Sequence, residues 1–210
     1  MILLFYTLAM EYVTKRDSKC GELHIVMGPM YSGKSTKLIE TYNTLLESYT
    51  EKSKIVVVTH SIETRYSMDK LSSHDRKEVE CTKVSNVQSI VNACTNNVSN
   101  NIQLADFILI DEAQFFTDLI KVIELVETYQ KTVYVYGLDG DFKRNKFGSI
   151  LDLIPYCDSV VKLNGKCFHC DNNSHFSWRI TKDKTTQVIV GSSNEYVALC
   201  RGCYSKSMSS

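Results

Sequence analysis

The stretch GPMYSGKST, residues 28–36, constrains the fold most strongly, because it follows directly after the apolar run LHIVM. Gly28, Gly33, Lys34 and Ser35 match the pattern GxxxxGK[ST]. Between a strand and a helix, such glycines let backbone N–H groups surround phosphate oxygens, while the lysine neutralises outer phosphates and the serine hydroxyl ligates magnesium. The alternative is a glycine turn that caps a helix. The strand and helix context favours phosphate binding.

The hydrophobic periodicity predicts an α/β chain. The runs ELHIVM, KIVVVTH, DFILID and TVYVYGL have the apolar, β-branched character of buried strands. Three sets of apolar residues lie between them at helical spacing: Leu38, Ile39, Tyr42, Leu45, Leu46 and Tyr49; Val87, Ile90, Val91, Cys94 and Val98; Leu119, Ile120, Ile123 and Val126. Alternating strands and helices predict a parallel sheet covered on both faces. The polar stretch 61–80 predicts a long functional loop.

The run FILIDEAQFF supplies two acidic residues at the end of a predicted strand. Asp111 is placed to hold the magnesium ion that bridges nucleotide phosphates. Glu112 is placed to act as a general base. Alternatively, both residues merely begin the next helix, where acidic side chains suit the helix dipole. Together with the phosphate loop, they favour a nucleotide-using enzyme.

Two CxxC pairs, Cys167 with Cys170 and Cys200 with Cys203, predict a structural zinc site with four thiolate ligands. Their separation exceeds that of a typical zinc ribbon. Disulfides are the alternative, and the lack of an export signal disfavours them. Cys20, Cys81, Cys94 and Cys157 show no pairing pattern and are interpreted as ordinary thiols.

Chain length and net charge limit the possible domain organisation and the possible binding partners. A chain of 210 residues accommodates one core and a small appended module. We expect an N-terminal extension at 1–21, a nucleotide-binding domain at 22–164 and a zinc-binding domain at 165–210. Lys and Arg total 24, as do Asp and Glu, so net charge favours neither nucleic acid nor a membrane. The apolar opening MILLFYTLAM is too short to span a bilayer, and Met10 is an alternative translation start. A cytoplasmic protein is expected.

Taken in order, GPMYSGKST, ETRYS, DEAQFF, LDGDFKRNKFG, VVKL and the CxxC pairs resemble the thymidine kinases of the cellular and poxvirus type. The resemblance covers residues 22–204. It implies a P-loop parallel sheet with a small C-terminal zinc-binding lid, the lasso domain. It also implies transfer of the γ-phosphate of ATP to the 5′-hydroxyl of thymidine or deoxyuridine, in nucleotide salvage. Magnesium, a structural zinc, a homotetramer and feedback by dTTP are implied as well.

The same resemblance implies residue roles. Among the catalytic residues, Glu112 would activate the 5′-hydroxyl, Arg65 would stabilise charge on the transferring phosphoryl group, and Lys34 would neutralise the outer phosphates. The implied ATP, phosphate and magnesium set is Gly28, Pro29, Met30, Tyr31, Ser32, Gly33, Lys34, Ser35, Thr36, Glu63, Asp111 and Gln114. The implied nucleoside set is Met30, Phe115, Leu138, Phe142, Phe147, Asn164, Gln187, Val188, Ile189, Val190, Gly191 and Tyr196. Simple core packing is the alternative for Phe115 and Phe147.

This chain departs from the family pattern at two of these positions. Glu63 stands where the pattern has aspartate, and Asn164 stands where relatives often have threonine. The first departure bears on the positioning of magnesium or phosphate, and the second on selectivity among pyrimidine deoxynucleosides.

Two other functions remain open at this point. A nucleic-acid-dependent ATPase also combines a phosphate loop, a DEAQ motif and zinc, but it generally needs a second nucleotide-clasping lobe. A catalytically silent zinc scaffold that binds nucleotide is the other.

Overall fold

A computed structural model of the chain describes residues 20–48, 54–62, 70–72, 78–95, 100–181, 185–187 and 195–209. The described residues form β1 Glu22–Met27, β2 Ile55–His60, β3 Lys70–Ser72, β4 Glu78–Glu80, β5 Thr82–Val84, β6 Phe107–Asp111, β7 Thr132–Gly137, β8 Ser159–Lys162, β9 Gly165–Lys166, β10 Asn173–Ser174, β11 Phe176–Arg179 and β12 Tyr196–Leu199. The α-helices are α1 Lys34–Ser48, α2 Val87–Thr95, α3 Asn101–Leu104, α4 Val122–Glu127 and α5 Arg201–Met208.

The central sheet has six strands in the order β5-β2-β6-β7-β1-β8, and every pair in it is parallel. The inner strands are almost wholly apolar and buried, as expected for parallel strands that are covered on both faces. The carboxyl ends of these strands share one edge, where ligands bind in open α/β sheets. The predicted parallel sheet is confirmed.

Helices cover both faces of this sheet. On one face, Leu38 and Ile39 of α1 belong to a buried cluster with Leu109 of β6 and Tyr136 of β7. On the opposite face, α2 and α4 bury residues such as Ile90 and Leu125 against the alternate side chains of the strands. Because side chains alternate along a strand, the odd-numbered positions of β6, Phe107, Leu109 and Asp111, all face α1.

The third predicted helix is divided. Residues Leu119–Lys121 form a 3₁₀ turn, and the α-helix begins only at Val122. A 3₁₀-helix has three residues per turn instead of about 3.6, so apolar residues spaced for an α-helix do not all face the core in it. Ile120 is accordingly 44% exposed. Asp118 holds this turn in place, because its carboxylate accepts hydrogen bonds from the backbone N–H groups of Val87 and Gln88 at the start of α2.

The stretch 61–80, expected to be a long loop, contains the antiparallel pair β3–β4. Leu71 and Val79 are buried and join the cluster beneath α1, which gives this hairpin a hydrophobic anchor. Residues 63–69 and 73–77 lie outside the described residues.

The C-terminal part is built on two short antiparallel sheets, β9–β10 and β11–β12, and on α5. Strand β11 has two different faces. The rings of Phe176 and Trp178 lie 5.3 and 5.1 Å from the ring of Tyr204 of α5, whereas Ser177 and Arg179 are buried on the other side. The strand predicted in HFSWRIT is confirmed. Residues 186–187 of the second candidate, TQVIV, are not in a strand, and the rest of it lies outside the described residues.

A search of the described residues finds no helix whose length and hydrophobicity would suffice to cross a membrane.

Candidate active site

The phosphate loop connects β1 to α1 at the carboxyl edge of the sheet. Tyr31 and Gly33 have positive φ angles of 60° and 84°, which let the chain curl before the helix begins at Lys34. A side chain at Gly28 would lie 2.7 Å from the carbonyl oxygen of Leu163 and 2.8 Å from the hydroxyl of Ser32, so the loop requires glycine there. The local sequence thus sets the shape of the cradle.

Lys34 folds back over this loop. Its ammonium group donates to the carbonyl oxygens of Pro29, at 2.8 Å, and Gly28, at 3.3 Å. The positive charge therefore lies over the loop at the amino end of α1, a position suited to offset the charge of a phosphate. Ser32 adds a buried hydroxyl that makes no hydrogen bond within the described part of the chain.

Asp111 and Thr59 lie beside each other where β6 and β2 end. They are partners in the parallel register, so their side chains share the face that α1 covers. Both are buried, with exposures of 2% and 0%. The Thr59 hydroxyl has no hydrogen-bond partner among the described residues. The Asp111 carboxylate and the Thr59 hydroxyl are oxygen ligands of the kind that Mg²⁺ prefers.

Glu112 follows at the point where the chain leaves the sheet. Its φ and ψ of 53° and 40° are left-handed, an uncommon conformation for a residue with a side chain and one that often occurs at functional sites. Its carboxylate accepts a 2.5 Å hydrogen bond from the Gln114 amide. The Gln114 oxygen in turn accepts from the backbone N–H of Leu138, at 2.9 Å. Gln114 thus ties the orientation of Glu112 to the end of β7.

An apolar wall lies next to these polar groups. The rings of Phe115 and Phe147 meet edge to face with centroids 5.8 Å apart. Both are half-buried, as are Met30 and Leu138, whereas Phe142 is almost fully buried. A half-buried aromatic wall beside a carboxylate suits a flat, partly apolar ligand.

The C-terminal part is joined to the phosphate loop by direct contacts. The backbone N–H of Met30 donates to the Ser177 hydroxyl at 3.0 Å. A side chain at Gly165 would come within 2.5 Å of the Tyr31 carbonyl oxygen. The Tyr204 hydroxyl donates to the carbonyl oxygen of Phe142 at 2.7 Å. Movement of this part would therefore disturb both the phosphate loop and the aromatic wall.

The four cysteines of the CxxC pairs converge, as predicted. Their sulfur atoms all lie within 4.8 Å of one another, and Cys170 is 3.7 Å from both Cys200 and Cys203. Four sulfurs around one zinc ion at tetrahedral angles are separated by about 3.8 Å. The sulfur positions therefore fit zinc.

The electrostatics of the cluster also favour a divalent cation. The Cys203 backbone N–H donates to the Cys200 sulfur and lowers the pKa of that thiol. Hydrogen bonding to Cys200 raises the pKa of Cys203 to about 12. Clustered thiols cannot all ionise together unless a cation offsets their mutual repulsion, and zinc supplies that charge.

Comparison with known proteins bears on the same motifs. The family model described as thymidine kinase matches residues 21–204, which include the phosphate loop, Glu112 and all four cysteines. The chain belongs to the thymidine kinase family. It is accordingly an ATP-dependent phosphotransferase with ATP and thymidine as substrates, and its reaction forms dTMP in nucleotide salvage.

Similar proteins come from distant sources. A thymidine kinase of Oryza sativa is 36% identical over 185 residues, covering 88% of this chain and 66% of the rice protein. A protein named "Thymidine kinase, cytosolic" from Gallus gallus is 35% identical, covering 88% and 77% of the two chains. A thymidine kinase of Yaba monkey tumor virus is 36% identical, covering 90% of this chain and 98% of its own.

Within this thymidine kinase the predicted site residues fall into three groups. One group lies together at the carboxyl edge: the phosphate loop, Asp111, Glu112, Gln114, Phe115, Leu138 and Phe147. A second group, formed by Phe142, Gln187 and Tyr196, lies around Arg179 of β11. Asn164 is an exposed residue just before β9. The third group lies outside the described residues: Glu63, Arg65, Val188, Ile189, Val190 and Gly191.

Sequence reasoning did not single out Arg179, Ser177 or Tyr204. Alternation in FSWR suggests that the aromatic residues face a core and that Ser177 and Arg179 face solvent. Both polar side chains are instead buried, with exposures of 4% and 0%. The available signal was an arginine in a short strand of aromatic residues. If such a strand is packed on both faces, its arginine must be buried, and a buried arginine needs hydrogen-bond partners.

Proposed function

We propose that this thymidine kinase performs phosphoryl transfer at the carboxyl edge of its central sheet. The supporting observation is that the phosphate loop, with Lys34 folded over it, and Asp111 lie at the carboxyl ends of parallel strands of one sheet, and that Glu112, next in the chain, is held by Gln114. In this proposal residues 28–36 bind the triphosphate of ATP. Main-chain N–H groups and Lys34 hold the phosphates in one position for attack.

Ser35 and Asp111 would hold magnesium, with the buried Thr59 hydroxyl close to Asp111. When bound, the ion neutralises charge that develops on the phosphates. Glu63 and Arg65 carry roles implied only by the family pattern. In the proposal Glu63 helps to position phosphate and metal, and Arg65 stabilises the transferring phosphoryl group.

Glu112 acts as the general base that accepts the proton of the 5′-hydroxyl. A carboxylate is suited to this role when it is held within hydrogen-bond reach of the attacking oxygen. The bond from Gln114 restricts rotation of the Glu112 side chain and so fixes the orientation of its carboxylate. In this proposal Gln114 orients Glu112 through their hydrogen bond. The family resemblance also implies that Gln114 lies beside the phosphates.

The nucleoside occupies the space beside the aromatic wall. Phe115, Phe142 and Phe147 contact the base, with Met30 and Leu138 at the edges. Residues 187–191 and Tyr196 supply hydrogen bonds to the pyrimidine, and Asn164 contributes to selectivity. Zinc bound by the four cysteines has a structural role, because a four-cysteine site leaves no open coordination position.

Three further properties follow from the family and belong to this proposal. The chain forms a homotetramer, its activity is reduced by dTTP, and it acts in the cytoplasm. The neutral charge balance and the compact site support a small-molecule acceptor over nucleic acid.

A nucleoside panel tests the proposal. Purified protein is incubated with radiolabelled ATP, magnesium and, in separate reactions, thymidine, deoxyuridine, deoxycytidine, ribonucleosides or single-stranded DNA. We expect labelled monophosphate with thymidine and deoxyuridine, and no stimulation of ATP hydrolysis by DNA. DNA-stimulated hydrolysis without a nucleoside product would overturn the proposal.

A further inference from the structure

Arg179, the last residue of β11, is a fully buried cation at 0% exposure. Its guanidinium carbon lies 3.9 Å from the centroid of the Phe142 ring. Burying an arginine costs free energy unless its N–H groups find acceptors and its planar face finds a partner. Arg179 has both: the Phe142 ring faces its guanidinium group, and oxygen acceptors bind its N–H groups.

The acceptors of Arg179 belong to two different chain segments. Its Nη1 donates to the Thr186 carbonyl oxygen and its Nη2 to the Gln187 carbonyl oxygen, the latter at 2.8 Å. Its Nε and Nη2 also donate to the Tyr196 hydroxyl, with Nε at 3.1 Å. One guanidinium group therefore holds residues 186–187 and the start of β12 in fixed relation to Phe142.

Gln187 extends this network to the loop that carries Phe142. Its side-chain amide donates to the Asp141 carboxylate at 3.1 Å. The same carboxylate accepts from the backbone N–H groups of Lys143 and Asn145, each at 2.8 Å. The loop after β7 and the C-terminal segment are thereby joined twice, once through Gln187 and once through Arg179.

We propose that Arg179 is a positioning residue that sets nucleoside affinity by holding Tyr196 and residues 186–187 against Phe142. This inference rests on the proposed function, because it takes Phe142, Gln187 and Tyr196 as parts of the nucleoside site. Arg179 acts through these neighbours. The phosphate loop is positioned separately, through Ser177 and Met30, so ATP binding does not depend on Arg179.

Lysine is the informative replacement. It keeps the positive charge and much of the length, but it is a point donor that lacks the planar fork and the flat face that stacks on Phe142. The variant Arg179→Lys therefore loses simultaneous contact with Tyr196 and the two carbonyl oxygens. The KM for thymidine should rise about tenfold, the effect expected from loss of one hydrogen bond to a charged group. The kcat and the KM for ATP should stay within about twofold.

Arg201→Lys is the matched control. Arg201 lies in the same part of the chain, and its guanidinium carbon is 4.9 Å from the Phe176 ring, but its side chain is exposed. We expect unchanged kinetic constants for that variant. Zinc content and thermal unfolding are measured for every variant, so a general loss of folding is separated from a specific loss of nucleoside affinity.

A double-mutant cycle with Tyr196→Phe tests the mechanism. If Arg179 acts through the Tyr196 hydroxyl, the rise in thymidine KM of the double variant is smaller than the product of the two single rises. A rise equal to that product would overturn the inference, as would Arg179→Lys with unchanged thymidine KM or with equal losses for both substrates. If Arg179→Lys does not fold, an unchanged thymidine KM in Tyr196→Phe overturns it instead.

Failure of the proposed function is distinguishable from failure of this inference. Wild-type protein without thymidine-dependent turnover would remove both. Active wild-type protein, together with an Arg179→Lys variant of normal thymidine KM, would remove the inference alone.

Discussion

At the scale of single residues, two adjacent acidic side chains are separated by backbone geometry. Asp111 ends its strand in the buried register of β6, facing α1. Glu112 leaves the sheet in a left-handed conformation and is held by Gln114. A one-residue change of conformation therefore gives neighbouring carboxylates different surroundings and supports different roles for them.

The variant Glu112→Gln tests the base role. It keeps the size of the side chain but removes the proton acceptor, so we expect kcat to fall by about 10²–10⁴-fold. ATP affinity, measured by calorimetry, should change little, because the phosphate loop is untouched. Near-native turnover in this variant would exclude Glu112 as the base.

His60 provides a pH-dependent prediction. Burial lowers its pKa from the ordinary value of 6.5, although the Ser85 carbonyl and Asp118 oppose the shift. Its Nδ1 accepts the Ile62 N–H at 3.1 Å and its Nε2 contacts the Ser85 carbonyl oxygen, so the folded chain favours the neutral ring. The unfolded chain binds the proton more readily than the folded chain.

The free energy of unfolding should therefore fall as the pH drops through about 6.5. The variant His60→Gln does not titrate and should show a shallower fall over the same range. Denaturant titrations of both proteins between about pH 5.5 and 7.5, one unit on either side of the ordinary histidine pKa, measure the difference. Identical slopes would contradict the assignment.

At the scale of elements, local patterns set the type of each segment and contacts set its limits. The apolar repeat of residues 119–126 predicts one helix, but the Asp118 carboxylate is committed to the start of α2 and a 3₁₀ turn follows it. The polar stretch 61–80 predicts a loop, but two buried residues suffice to seat a hairpin under α1. Neither contact partner is close in sequence.

The turn that carries Glu112 and Gln114 is itself packed against Gly148. Gly148 has a φ of 64°, and a side chain there would lie 2.3 Å from the Gln114 carbonyl oxygen. Gly148→Ala should therefore destabilise the fold by about 1–3 kcal/mol and lower kcat, because both strain and a clash are introduced. Thermal unfolding and steady-state kinetics measure these effects.

Gly202→Ala is the control for that variant. Gly202 lies in α5 with no atom within 4 Å of an added methyl group. Alanine should stabilise this helix slightly, by about 0.5–1 kcal/mol. A Gly148→Ala protein as stable and as active as wild type would show that the Gln114 turn tolerates displacement.

At the scale of the whole molecule, the part that carries the four-cysteine cluster is joined directly to the candidate active site. The bonds Met30–Ser177 and Tyr204–Phe142 cross between the sheet domain and the C-terminal part. The division of the chain at residues 164 and 165 remains a prediction, and these bonds show that the two parts share contacts at the site. Loss of metal should consequently affect catalysis at a distance.

Native mass spectrometry should show one zinc ion per chain. Removal of the metal by a chelator should abolish thymidine-dependent turnover and lower the unfolding temperature, because α5 and β11 lose their anchor. Cys167→Ser should behave similarly, whereas Cys20→Ser, which changes an exposed thiol outside the cluster, should not. A metal-free chain with full activity would contradict this link.

The amino-acid order alone predicts the features that depend on residues close together in the chain. The phosphate loop, the alternation of strands and helices, and the close spacing within each cysteine pair depend on residues a few positions apart, so each could be predicted from its own segment. Contacts between residues far apart in the chain depend on how the segments pack in three dimensions. Ser177 meets Met30 and Arg179 meets Phe142 because the face of β11 that carries both side chains packs against these distant segments, while the opposite face packs against α5. Alternation fixes only that two faces exist, and packing between distant segments decides which of them is buried.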